Sequence, residues 1–160
     1  MAAPTIIRFR RDLTGAAPPP PIWPPGTCGV PFDPARHARA AHALLVQGYT
    51  RGGGAVGPFA DWWTGLVTDA EYDPALCFVA ADSADGTIVG VAQCWTSAFV
   101  KDIAVAADRR RAGLGRALVL TAFHAFRARG APHLDLKVHA DNPSGAVAFY
   151  QALGMVVVAG

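Results

Sequence analysis

The amino-acid sequence predicts an α/β domain in which strands and helices follow the order β-α-α-β-β-β-α-β-α-β. Three observations predict it. The 160 residues are 52% hydrophobic and 16% charged, enough apolar side chain for one sizeable core and a single domain over residues 1–160. Helix punctuation recurs, with Asp33-Pro34 and Asn142-Pro143 as starts and Gly48, Gly130 and Gly154 as stops. An apolar strand segment, Ile103-Ala104-Val105, runs almost directly into an Arg- and Gly-rich loop that opens a helix.

Taken in order, Thr5 to Arg11 reads as a strand, with Ile6 and Ile7 ahead of alternating Arg8, Phe9 and Arg10. Residues 16–34 are Pro-rich, which forbids helix and implies a surface loop or pocket wall around Trp23 and Phe32. A helix runs from Asp33-Pro34 to about Gln47, and a glycine-rich loop follows at Arg51–Gly57. A short helix at about Pro58–Thr68 carries Trp62 and Trp63. Strands are expected at Leu76–Ala81, Thr87–Thr96 and Ala98–Ala106, the first two joined by a turn at Asp85-Gly86. The helix from Gly113 to Arg129 turns Leu114, Leu118, Ala122 and Ala125 inward and leaves Arg116, His124 and Arg127 on a polar stripe. The strand Leu134–His139 alternates apolar and polar, and one of its faces is buried. Ala146, Phe149, Tyr150 and Leu153 share the face of a last helix, and Met155–Ala159 closes the chain as a short strand.

Composition narrows the function classes. No apolar run approaches the length of a membrane span, and the N-terminus lacks a charged region followed by an apolar one. A formal charge of +2 is too small to argue for nucleic acid. Cys28, Cys77 and Cys94 are an odd set without CxxC spacing, which argues against disulfides and metal sites and fits a reducing cytoplasm. Lys101 and Lys137 are the only lysines and Glu71 the only glutamate, a bias that a GC-rich genome explains without function.

The stretch from Ile103 to Arg116 concentrates the chain's anion affinity. Glycines let backbone N–H groups approach an anion, the helix N-terminus adds partial positive charge, and Arg109, Arg110 and Arg111 add full charges. Read as a dinucleotide motif, Gly113-Leu114-Gly115 would have its acidic partner at Asp135. The third glycine, however, is Leu118, and too few βα units follow.

Arg110-Arg111-Ala112-Gly113-Leu114-Gly115 resembles instead the Arg/Gln-x-x-Gly-x-Gly/Ala signature of the GCN5-related N-acetyltransferases (GNAT). Val100–Val105 upstream and Asn142, Ala146, Tyr150 and Gly154-Met155 downstream are similar to that family in the same order, so the resemblance spans nearly the whole chain. It implies a mixed sheet with helices on both faces and a splayed, V-shaped slot for acetyl-CoA as co-substrate, with no metal. The amides of Ile103 and Val105 would pair with the pantetheine arm as an added strand does, and one would polarise the thioester carbonyl. Arg110, Arg111, Gly113, Leu114, Gly115 and Arg116 would hold the pyrophosphate. Asn142 would contact the pantetheine and Phe149 would pack beside it. Asn142 precedes Tyr150 by eight residues where seven is commoner, and its other reading is a helix cap.

Tyr150 stands where the family places the acid that protonates the departing thiolate; its other reading is a core aromatic. An alkyl ammonium acceptor must lose a proton first. Many relatives carry Glu-Asp in the strand before the cradle; here the pair is Lys101-Asp102, which leaves Asp102 as the base or as an acceptor inside a β-bulge. His139 and Glu71 are the remaining base candidates. Trp23, Phe32, Tyr49, Trp62 and Trp63 would make the acceptor pocket aromatic, each with a core aromatic as its other reading, and the sparse acids there (Asp33, Asp61, Asp69) suit a small or amino-acid-like amine. The rival readings are a non-catalytic acyl-CoA-binding module and a protein N-terminal acetyltransferase. A short apolar C-terminus implies that the edge near Val156–Val158 either pairs with Leu134–His139 or is covered by the Pro-rich segment or the second subunit of a homodimer.

Overall fold

The computed structural model describes residues 5–52, 56–142 and 145–160. One seven-stranded sheet runs through it, with strands β1 (Ile6–Asp12), β2 (Thr27–Pro31), β3 (Cys77–Asp82), β4 (Ile88–Trp95), β5 (Phe99–Val105), β6 (His133–His139) and β7 (Val156–Val158). Their order across the sheet is β2-β3-β4-β5-β6-β1-β7. Four helices cover it: α1 (Pro34–Gly52), α2 (Phe59–Val67), α3 (Leu114–Ala128) and α4 (Ala146–Ala152). Among the described residues no helix is long and apolar enough to cross a membrane.

α1 lays Ala41, Leu44 and Leu45 on Cys77, Val79, Val91 and Ala104. The opposite face receives α3, whose Phe123 and Phe126 join Phe9, Leu134, Leu136, Tyr150, Leu153 and Met155 in the largest cluster. α1 continues past Gly48, where a stop was expected, because Gly48 lies directly over Ala104; a Cβ there would meet the Ala104 Cβ at 3.5 Å. The glycine serves helix–sheet approach. The centre of the expected glycine-rich loop, residues 53–55, lies outside the described residues.

The Pro-rich segment holds a strand that its composition concealed. β2 pairs antiparallel with β3 at the sheet's edge, where Pro31 is tolerated because an edge strand has one unpaired side. Before β2 the segment crosses the outer face of α3. His124 and Arg127, the expected polar stripe, meet the carbonyls of Pro19 (2.9 Å) and Gly15 (3.5 Å).

The C-terminal edge differs from two of the expectations, the pairing with Leu134–His139 and the cover by the Pro-rich segment. β7 pairs with β1, not with β6, because β1 occupies the place beside β6 over its whole length, from Ile6↔His139 to Asp12↔His133. The Pro-rich segment leads away from this edge to β2, so it does not cover Val156 and Val157, which are exposed. Asp135 is also not on a solvated face. It is fully buried, with its carboxylate held by Arg8 Nε (2.7 Å) and by Arg10 Nε and Nη2 (2.8 and 2.9 Å) from β1. Burial opposes its ionisation, and the arginine hydrogen bonds outweigh that, so its carboxyl titrates below the usual range.

Candidate active site

The site begins where the sheet opens. β5 and β6 are parallel neighbours that share one paired position, Phe99↔Asp135, fixed by the Asp135 N–H donating to the Ala98 carbonyl at 3.0 Å. Beyond it the strands part. Ala106 donates its N–H to Val89 on the β4 side. Backbone groups alternate along a strand, so the amides of Ile103 and Val105 face the opposite way, into the gap. The Val105 carbonyl faces it too, and accepts Arg110 Nε at 3.1 Å.

At the end of β5 the chain forms a backbone cradle. Arg111 (φ 62°) and Gly113 (φ 99°) take left-handed conformations on either side of Ala112, and α3 then opens with no side-chain cap and no acidic residue in its first turn. Its first N–H groups are therefore left for a ligand. Gly115 lies against Phe149: a Cβ there would meet the ring at 3.4 Å. Leu114 is buried, while Arg111 and Arg116 are exposed beside the cradle. Arg109 is not available to an anion, because its guanidinium is paired with Asp82. Uncapped amides, the missing Cβ and flanking arginines fit a pyrophosphate.

On the α3 side of the gap Tyr150 is buried, its ring 6.1 Å from Phe9 and 5.0 Å from Phe149. Burial pushes its phenol up to about 12, so it keeps its proton at neutral pH. Asn142 lies in the turn after β6, donating its N–H to the His139 carbonyl. It does not cap α4, whose N-cap is Gly145 (φ 77°); Pro143, expected to open that helix, lies outside the described residues.

The α1 side of the gap holds a cavity of about 340 Å³, lined by Tyr49, Val56, Gly57, Asp61, Trp62, Lys101 and Asp102. A register shift opposite Gln93 and Cys94 leaves Lys101 as the extra residue of β5, which puts Lys101 and Asp102 together on this face. Asp102 is buried; its Oδ2 accepts Lys101 Nζ at 2.6 Å and its Oδ1 accepts the Tyr49 hydroxyl. Desolvation and the Asp102 charge raise the Tyr49 pKa well above a phenol's ordinary value.

Of the five aromatics expected here, Tyr49 and Trp62 line the cavity. Trp23 packs on the α3 side with Leu114 and Leu118, Phe32 contacts His37 and Trp63, and Trp63 stacks on Phe59. Glu71 is spent on a turn, its carbonyl accepting Thr96 N–H and its carboxylate Ser97 N–H. His139 pairs with Ile6 at the end of β6 and does not line the cavity. Sequence reasoning passed over Lys101 as a lining residue. The signal was two adjacent charges inside an apolar strand, which breaks alternation and marks a bulge.

A parted parallel pair beside an uncapped helix start is the arrangement the motif resemblance implied, and residues 40–155 match the acetyltransferase (GNAT) family. The chain belongs to that family. Among curated proteins no match is found. Among solved structures the GNAT chain is similar to a GCN5-related N-acetyltransferase from Sphaerobacter thermophilus, at 26% identity and a TM-score of 0.82 over 98% of this chain and 50% of that one. The chain thus spans about half the length of that structure. It also shares its fold with the ribosomal-protein-S18-alanine N-acetyltransferase from Escherichia coli (24% identity, TM-score 0.62, 80% of this chain and 76% of that one). A third similar structure is AAC(6')-Iy in complex with the bisubstrate analogue CoA-S-monomethyl-acetylneamine (15%, 0.59, 80% and 89%).

Proposed function

We propose that residues 1–160 act as one cytoplasmic acetyltransferase domain that moves an acetyl group from acetyl-CoA to a primary amine of a small or amino-acid-like acceptor, by direct transfer in a ternary complex. The observation that carries this reading is the gap between β5 and β6, with the Ile103 and Val105 amides facing it and the uncapped start of α3 at its end. That one neighbour is a ribosomal-protein-S18-alanine N-acetyltransferase and another binds the bisubstrate analogue CoA-S-monomethyl-acetylneamine supports an amine acceptor without choosing between them.

Acetyl-CoA supplies an activated thioester. Arg110, Arg111 and Arg116 with the amides of Gly113, Leu114 and Gly115 hold its pyrophosphate, and Phe149 and Asn142 flank the pantetheine arm. The Ile103 and Val105 amides pair with that arm, and one donates to the thioester carbonyl, favouring the charge that develops there. Asp102, aimed into the cavity, takes the proton from the incoming ammonium. Tyr150, which holds its proton tightly at neutral pH, donates it to the departing sulfur. Positioning in the gap supplies most of the rate.

Free thiol released from acetyl-CoA across a panel of amines tests the reading. Amine-dependent release supports transfer. Tight coenzyme A binding with no release from any amine would make the chain an acyl-CoA-binding module, for which Lys101 in place of an acid is the favouring feature.

A further inference from the structure

The chain has two lysines, and the fold brings both to the strands that border the gap, Lys101 on β5 and Lys137 on β6. Counting on from the single paired position, Phe99↔Asp135, they stand at matching places, each two residues further along its strand. Both lie on the α1 side, Lys101 because of the bulge and Lys137 because it shares a face with Asp135, opposite Phe9 and Leu136 of the α3-side cluster. They differ in surroundings. Lys101 lines the cavity and touches the buried carboxylate of Asp102; Lys137 is exposed on the open sheet face.

We propose that the Lys101 ε-amine is an acetyl acceptor of the chain itself, so that the acetyltransferase modifies its own cavity when no other amine fills it. The inference rests on the acetyl-transfer reading of the site. Three observations on Lys101 support it. Its side chain is about one-third exposed, so the amine is reachable. Nζ is 2.6 Å from Asp102 Oδ2, the group that would take the acceptor's proton. The Ile103 amide, which faces the gap, is two residues on, about 7 Å along an extended strand. Nζ now lies 5.8 Å from the centre of the Trp95 ring, and its four-carbon stem lets it turn from that ring toward the gap.

The step balances without a further reactant. Asp102 takes one proton from the ammonium and passes it to solvent. The freed Nζ forms a bond to the acetyl carbon as the carbon–sulfur bond breaks, and the second proton leaves nitrogen for sulfur. The products are Nε-acetyl-lysine, coenzyme A thiol and one proton. Acetylation removes the Lys101 charge and its ion pair with Asp102, and leaves a neutral amide in the cavity where an acceptor would enter.

The test is incubation of the chain with acetyl-CoA and no added amine, followed by intact mass and peptide mapping. A gain of about 42 Da is expected on the Lys101 peptide, formed about tenfold or more faster than any gain at Lys137. Lys101→Arg should abolish it and Lys137→Arg should retain it. Equal labelling of the two lysines, or the same rate at Lys101 in heat-denatured chain, would reduce it to ordinary chemical acetylation and overturn the proposal. Thiol release with free amines and an unlabelled Lys101 overturns the proposal while the acetyl-transfer reading stands. A labelled Lys101 with no free amine acetylated supports the proposal and removes the small-amine reading. Absence of both, with no coenzyme A binding, removes the two together.

Discussion

β3, β4 and β5 are consecutive in the chain and joined by short turns, whereas β6, β1 and β7 are gathered from its two ends. The gap between β5 and β6 lies at the seam between these groups. The first group is held by local hydrogen bonds and apolar contacts, such as the Asp82 N–H to the Thr87 carbonyl and Val79 against Val91. The second depends on pairings across more than a hundred residues, and there the chain places a buried carboxylate, Asp135, held by the partly exposed Arg8 and Arg10. The difference teaches how register is chosen. A one-residue slip of β1 would turn Arg8 and Arg10 into the apolar cluster around Phe9 and leave Asp135 buried without a partner. The arginines of β1 make that register expensive to lose.

If β1 is integral to the second group, Phe9→Ala should give the largest effect. Phe9 is fully buried between β6, β7 and Tyr150, and the truncation should cost about 3–5 kcal/mol in a denaturant titration. A loss below about 1 kcal/mol would mean that the second group holds together without this contact.

The seam itself is tested by Arg110→Ala with Arg111→Ala. Coenzyme A binding, measured by calorimetry, should weaken by more than about tenfold, or 1.4 kcal/mol. A ligand that lacks the pyrophosphate should be affected much less. Arg110 also ties the cradle to the Val105 carbonyl, so its loss loosens the end of β5 as well. Equal losses for both ligands would show that the loop does not hold the pyrophosphate. Tyr150→Phe comes next: turnover should fall while acetyl-CoA affinity holds, because only the hydroxyl is removed. Unchanged turnover would make Tyr150 a core aromatic and no more.

The same contrast explains what the sequence disclosed. β3 to β5 and α3 were legible because their signals are local: alternation, the Asp85-Gly86 turn, and glycines around a helix start. The cradle was legible for the same reason. β2 was concealed because proline marks turns and edge strands alike, and only the neighbouring β3 distinguishes them. The pairing of β7 with β1 was not legible, since nothing within either segment names its partner. In the site, Asp102 and Tyr150 stood out as residue types, but the Tyr49 contact to Asp102 joins a helix to a strand 53 residues away and had no local signal.

Asp135→Asn keeps an acceptor for one arginine and removes the charge that Arg8 and Arg10 share. Its value lies in the pH dependence. The folded-state pKa of Asp135 is depressed, because the hydrogen bonds from Arg10 and Arg8 outweigh the cost of burial. A depressed carboxyl contributes stability that is fully present above the unfolded value, near 4, and is lost as pH falls through the folded one. The native chain should therefore lose melting temperature below about pH 4, with part of that loss belonging to this one group. In Asp135→Asn that part is already gone at neutral pH, so the two melting curves should converge as the acid limb is descended. Parallel curves would mean that the charge of Asp135 contributes nothing to holding β1 in register. The apolar set of Phe9, Leu134 and Leu136 would then be choosing the pairing alone, and the two halves of the sheet would be built by one rule.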